Sequence, residues 1–376
     1  MSSPGFFMTI LAFIAVLGPL IFIHEMGHYL VGRWCGVKAE VFSIGFGPEL
    51  KAWTDKRGTR WRIAALPLGG YVRFKGDLNA ASQSDPKWLE MPAHERNESF
   101  PAKPLWQRAA IVAAGPLINL LFAVILLGGL AMWRGEPVSE PVIGMVAEGS
   151  AAQDAGLLEG DRIIRIMGRD ISSFRDISNI VTLRPNEPLA YVIERGDTRI
   201  EKTISAGTRI EEDRFGNVYR IGLLGVASGK VSLREVSLFE APLVGFHQSV
   251  AITRSMLDGI GQIITGRRSV KELGGPLKIA DISGQAASMG FASYVFFMAL
   301  ISINLGFINL LPIPMLDGGH LLFYGIEALQ RRPVSPMVQE WAYRSGMALL
   351  LTLMMLVTFN DLGSFGLWKS LSGLIG

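Results

Sequence analysis

Cysteine is almost absent from this sequence: Cys35 stands alone among 376 residues. That excludes an internal disulfide and any cysteine-rich metal cluster. Charge is also scarce, with 18% Asp, Glu, Lys and Arg, where a soluble domain carries about a quarter. The net charge of +3 is spread along the chain with no run of five or six basic residues, which argues against nucleic acid as a direct partner. Histidine is rare too, and three of the five lie in two short motifs, His24 and His28 in IFIHEMGHYL and His320 in PMLDGGH. His94 and His247 sit in polar or amphipathic surroundings and read as structural or solvent-facing.

Apolar residues, 49% of the chain, are abundant and clustered. Phe6 to Ile23 carries no charge and runs directly into the first histidine motif, long enough with it to cross a roughly 30 Å hydrocarbon layer. A cleavable signal peptide is disfavoured, because MSSPGFFM has no Lys or Arg and the motif falls where a cleavage site would be wanted. The second span, Ala109 to Trp133, is framed by Arg108 and Arg134. A third uncharged run lies between Gln285 and Leu316, with a non-helical end expected around LPIPMLDGG, and a fourth between Trp341 and Phe359. The reading is a polytopic α-helical membrane protein with about four transmembrane helices.

Two soluble-looking segments interrupt these spans. VFSIGFGPEL and TRWRIAALPLGGYVRF, within 33–104, read as strand pairs bent at their glycines and Pro67, apolar enough to dip into the membrane interface, with an ordinary surface hairpin as the alternative. Within 134–210, VIGMV, DRIIRIMG and LAYVIER read as strands and SSFRDISNIVTL as an amphipathic helix, a small inserted domain. Residues 206–235 stay unassigned. From about Ser232 to Ile264, inside a linker spanning 211–284, the pattern predicts an amphipathic helix lying on the membrane.

Spans one and three cross in the same direction, so their C-terminal ends share one face. The first carries His24, Glu25 and His28, the other Asn309 and Asp317. Arg331, Arg332 and the basic residues from Arg33 to Arg62 place that face in the cytoplasm and the inserted domain outside. His24 and His28, four apart on a helix, can offer two imidazoles to one ion, with Glu25 beside them as a proton acceptor. Polar groups inside an apolar span are expensive, which makes a chance occurrence of the pattern improbable. Tetrahedral zinc in a catalytic site takes a third protein ligand. Asp317 after the Pro-rich break is preferred, and His320 is the competing choice. Asn309 is a candidate for hydrogen bonding to substrate or to a developing oxyanion. A transporter or scaffold with a peptide-binding domain explains the spans but not Glu25 between the histidines. A metal sensor without catalysis is a further alternative.

HEMGH after its apolar span and NLLPIPMLDGGH near the third span together resemble the two motifs of the intramembrane site-2 proteases, especially the bacterial regulator-of-sigma-E protease branch. The similarity continues through GFG, PLGGYV, AAGPLIN, GGP at 274–276 and the last span. The resemblance implies Zn2+ held by His24, His28 and Asp317, Glu25 as catalytic base, and Asn309, Pro312 and Pro314 in substrate handling. It also implies that GLLEGDRIIRIMG belongs to a PDZ-like domain, one copy here where the best-known members of the branch have two. The implied substrate is a single-span membrane protein already trimmed by another protease, such as an anti-sigma factor, with signal-peptide remnants as a second class. The implied setting is a multi-pass protein of the bacterial inner membrane. The domain boundaries expected are 1–32 for the first span, 33–104 for the hairpins, 105–133 for the second span and 134–210 for the PDZ-like domain. The linker follows at 211–284, the third span with its motif at 285–330, and the fourth span with the tail at 331–376.

Overall fold

The computed structural model describes residues 5–78, 86–212, 218–229, 231–265 and 274–364. Helix α1 (Phe6–Trp34) leads into strands β1 (Ala39–Thr54) and β2 (Arg60–Phe74), the short α2 (Ala93–Arg96) and the long α3 (Leu105–Arg134). The inserted segment runs β3 (Glu136–Ser139), β4 (Ile143–Val146), α4 (Ala151–Asp154), β5 (Arg162–Ile166), β6 (Arg169–Asp170) and α5 (Phe174–Thr182). It continues through β7 (Pro188–Arg195), β8 (Thr198–Ser205), β9 (Gly207–Glu212), β10 (Val218–Leu223), β11 (Val226–Ser228) and β12 (Val231–Arg234). Helices α6 (Ala241–Ile264), α7 (Pro276–Ser288), α8 (Phe291–Leu310), α9 (Asp317–Gln330) and α10 (Pro336–Ser364) follow. Part of the expected 211–284 linker, residues 213–217, 230 and 266–273, lies outside the described residues, as does the end of the C-terminal tail.

Among the described residues four helices, Phe6–Trp34, Leu105–Arg134, Phe291–Leu310 and Pro336–Gly363, are long and apolar enough to cross a membrane. Large apolar side chains such as Phe7, Leu11, Ile125, Met355 and Phe359 stand exposed on them, the arrangement a lipid-facing surface requires. The third apolar run is divided. Gly290, at φ 105, separates α7 from α8, so the spanning helix starts at Phe291 rather than near Gln285.

The chain forms two compact units. The first comprises Met1–Gly128, Val244–Thr253 and Gly274–Phe359. Its sheet is compact because β1 is used twice. Ala39–Ile44 aligns against Phe74–Gly70 with one number rising as the other falls, and Val41–Ile44 also aligns with Arg60–Ile63, both numbers rising. Glu49–Thr54 then closes a hairpin with Ala64–Arg60. The segment around Gly70–Phe74 is thereby left at one margin of the sheet. Phe42, Val72, Phe74, Phe100 and Tyr29 form the apolar cluster that joins sheet to α1.

The second unit comprises Gly129–Leu243, Arg254–Leu273 and the residues from Asn360. A four-stranded sheet in the order β6-β5-β7-β8 packs on α5. Alternate residues of β7, Leu189, Tyr191 and Ile193, enter a core with Ile143, Ile163, Ile166, Ile177 and Val181. Ser173 and Asp176 form a capping box that fixes where α5 begins. The stretch 206–235 supplies β9 to β12: β9 pairs with β10, β11 with β4, and β12 with β3. That pairing corrects the expectation of helix from Ser232, since Val231–Arg234 is used as a strand and the helix starts only at Ala241.

Candidate metal centre

The centre is built from α1 and the start of α9. His24 and His28 lie one helical turn apart on α1, and both are turned inward, with His24 8% exposed and Glu25 6%. Opposite them, α8 ends at Leu310, and Leu311 is extended (ψ 142), as a residue before proline prefers. Pro312 and Pro314 keep the next residues out of a helix, and Met315, at φ 82, turns the chain so that Asp317 opens α9. Two glycines make this possible. A Cβ on Gly318 would fall 2.2 Å from the Leu311 carbonyl oxygen, and one on Gly319 2.4 Å from that of Ile313. The DGG triplet therefore lets the first turn of α9 lie on the backbone of the break, aiming Asp317 at the histidines.

Asp317 Oδ2 is 3.2 Å from His24 Nε2 and 3.6 Å from His28 Nε2. The two Nε2 atoms are 3.3 Å apart. Ligand atoms about 2.0–2.1 Å from a tetrahedral ion stand about 3.3 Å from one another, so this trio matches the spacing one zinc ion demands. His24, His28 and Asp317 are the group of possible metal ligands among the described residues. The donor chemistry, two imidazoles and one carboxylate, is that of a catalytic zinc site with a further position left for water. His320, the competing choice from sequence, is buried beside them but hydrogen bonds through Nδ1 with the Tyr343 hydroxyl at 3.1 Å and is not in the ligand trio.

The trio opens onto a cavity of about 330 Å3. Glu25 lies in its wall, with Val72 beside it in the lining. Gly69, Gly70, Tyr71 and Val72 line the same wall, which brings the margin of the sheet to the catalytic-looking carboxylate. Asn309 also lines the cavity, as do Met315 and His320. Pro312 is exposed and Pro314 packs against Gly346 of α10, so neither reaches the cavity wall. Their contribution is to the break that carries Asp317.

Sequence reasoning missed the part played by α3. His28 Nδ1–H donates to the carbonyl of Ile111 at 2.9 Å, which commits this ring to offering Nε2. Pro116 has no N–H for the Val112 carbonyl, and this loosened stretch of α3 is the one that faces α1. Asn119, fully buried, lies 3.2 Å from His24 Nδ1. The signal was visible as a single amide inside an otherwise apolar 25-residue span.

Comparisons with known proteins give the family. The model of peptidase family M50 matches residues 12–353. A candidate zinc metalloprotease of Agrobacterium fabrum is 43% identical over 371 residues, covering 97% of this chain and 98% of the relative. Another, of Rhizobium meliloti, is 43% identical over 359 residues, covering 94% and 96%. Metalloprotease MmpA of Caulobacter vibrioides is 34% identical over 394 residues, covering 98% and 99%. With a family match over most of its length and relatives at this identity, the chain belongs to peptidase family M50, the site-2 proteases, and is a zinc-dependent metalloprotease.

Proposed function

We propose that the chain is an intramembrane endopeptidase of the regulator-of-sigma-E protease type, with His24, His28 and Asp317 as zinc ligands and Glu25 as general base. The observation that carries this reading is the ligand trio at tetrahedral spacing, with Glu25 in the same cavity, on a helix apolar enough to span a membrane. Zinc, when bound, supplies Lewis-acid polarisation of a carbonyl and activation of water near neutral pH. Glu25 takes the proton from water and returns it to the departing amine. Val72, at the margin of the sheet, lines the cavity together with Glu25. Asn309, in the cavity wall, hydrogen bonds the substrate backbone or the developing oxyanion.

A helical substrate shields its peptide bonds, so it must be unwound to reach Glu25. The Gly70–Phe74 margin of the sheet lies beside the cavity and accepts an extended segment as an added strand. The substrate class is a single-span membrane protein already trimmed outside, such as an anti-sigma factor, with signal-peptide remnants as a second class. The β-rich unit is the PDZ-like domain, facing the periplasm, and the metal centre faces the cytoplasmic side of the inner membrane. The test is a Glu25→Gln trap in the bacterial membrane. Single-span proteins that accumulate intact in the variant and are cleaved by wild type within their span support the reading; unchanged cleavage by Glu25→Gln refutes it.

A further inference from the structure

Asn119 is an amide placed where α3 is otherwise apolar, and it is fully buried. An amide in such a position is costly unless it is hydrogen-bonded, and the group it faces is Nδ1 of His24, 3.2 Å away. Ser302 Oγ donates to the Asn119 carbonyl at 2.8 Å, tying this turn of α3 to α8. One turn earlier on the same face stands Gly115, where a Cβ would fall 2.2 Å from His28 Nε2 and 2.9 Å from His24 Nε2. Helix α3 therefore backs both imidazoles at contact distance. It has already committed His28, through the Ile111 carbonyl, to the tautomer with its proton on Nδ1.

His24 has its Nε2 turned toward Asp317 and His28. A neutral imidazole that gives its Nε2 lone pair to a metal carries its proton on Nδ1, and that proton needs an acceptor. The two ends of a carboxamide occupy interchangeable positions. With the amide nitrogen toward His24, Asn119 Oδ1 is buried without a hydrogen-bond partner among the described residues. With the ends exchanged, Oδ1 meets the Nδ1 proton.

We propose that Asn119 is a positioning residue of the zinc centre: its Oδ1 accepts the hydrogen bond from His24 Nδ1–H, fixing the tautomer and the ring orientation that present Nε2 to the ion. This rests on the assignment of His24, His28 and Asp317 as ligands. Partners of this kind set metal affinity, and their removal typically lowers it about 10–100-fold. The role of α3 is then to supply an outer layer for both histidines, a backbone carbonyl for His28 and a side-chain carbonyl for His24.

The test measures zinc affinity of the full chain in detergent micelles, by competition with a chromogenic chelator, for wild type, Asn119→Leu and Asn119→Asp. Asn119→Leu keeps the volume and removes the acceptor; it is expected to lower affinity about 10–100-fold. Asn119→Asp keeps an acceptor and is expected to bind zinc within about threefold of wild type or more tightly, because carboxylate partners raise imidazole basicity. Cobalt-loaded wild type and Asn119→Asp should share one visible spectrum, from which Asn119→Leu departs. Leu binding zinc as wild type does, or Asp losing as much affinity as Leu, overturns the proposal. If Asn119→Leu does not fold, Asn119→Ala takes its place with the same expectation. Wild type that binds no zinc, or binding unaffected by His24→Ala, overturns the ligand assignment itself; normal wild-type binding untouched by either Asn119→Leu or Asn119→Ala overturns only the role of Asn119.

Discussion

The metal centre of the first unit and the core of the second bury polar groups by opposite means. Around His24 and His28 the polar groups converge on one point: Asp317 from α9, the Ile111 carbonyl and Asn119 from α3, and Glu25 beside them on α1. In the second unit the core is aliphatic apart from Tyr191, and a buried carboxylate, Asp161, sits at its edge just before β5. Asp161 is held there by both arms of the Arg195 guanidinium, at 2.7 and 2.8 Å, and by Leu158 N–H at 2.9 Å. Asp161 is satisfied entirely within its own unit. The centre in α1 is a set of ligand atoms 3.2–3.6 Å apart that a shared cation would hold together. The first arrangement serves chemistry, the second serves folding.

Removing a ligand should break this contrast most sharply. Asp317→Asn is expected to lose more zinc affinity than the roughly 10–100-fold typical of outer-layer changes and to abolish proteolysis, as read by metal analysis and cleavage of a membrane-peptide reporter. Next comes Glu25→Gln, for which cleavage should fall by about 10²–10⁴ while zinc content stays at the wild-type level. A Glu25→Gln protein that loses its zinc would make Glu25 part of the metal's binding rather than its chemistry.

Changes in the second unit should leave zinc untouched. Burial pushes the Asp161 carboxyl up, but Arg195 and the Leu158 N–H more than offset this and hold it below the ordinary carboxylate range. A depressed folded-state value means that the pair contributes fully above the unfolded value of about 3.9 and that its contribution is lost as pH falls through the folded value. Asp161→Asn should therefore weaken hydrogen-exchange protection of β5 and β7 at pH 7, and the difference from wild type should shrink below about pH 3.9. The smallest effect belongs to Tyr191, whose hydroxyl is buried without a hydrogen-bond partner among the described residues and whose pKa burial pushes up to about 12. Tyr191→Phe should leave the unit as stable or more stable by up to about 1 kcal/mol, with zinc affinity and cleavage unchanged.

Much of the first unit was legible in the sequence because a membrane permits few solutions. Uncharged runs of twenty or so residues must be helices there, and a His-Glu-x-x-His pattern within one has few uses. The inserted unit was legible to the extent that its strands alternate, as β7 does. Short strands with distant partners were not: Val231–Arg234 looks like the start of a helix, and only its pairing with Glu136–Ser139, almost a hundred residues earlier, makes it a strand. The division of the third apolar run also escaped notice, since it depends on the single backbone twist at Gly290.

The sequence by itself determined the four spans and the two imidazoles one turn apart with Glu25 beside them, all being periodicities or neighbours along the chain, and the shared direction of spans one and three made Asp317 the preferred third ligand. Only the tertiary structure decided that Asp317 rather than His320 enters the trio, because Gly318 and Gly319 seat α9 on the Leu310–Pro314 backbone and turn His320 toward Tyr343. It also decided what stands behind the histidines. Asn119 and the Ile111 carbonyl reach them across more than eighty residues of chain, a separation at which no local pattern fixes a contact and only helix-on-helix packing does.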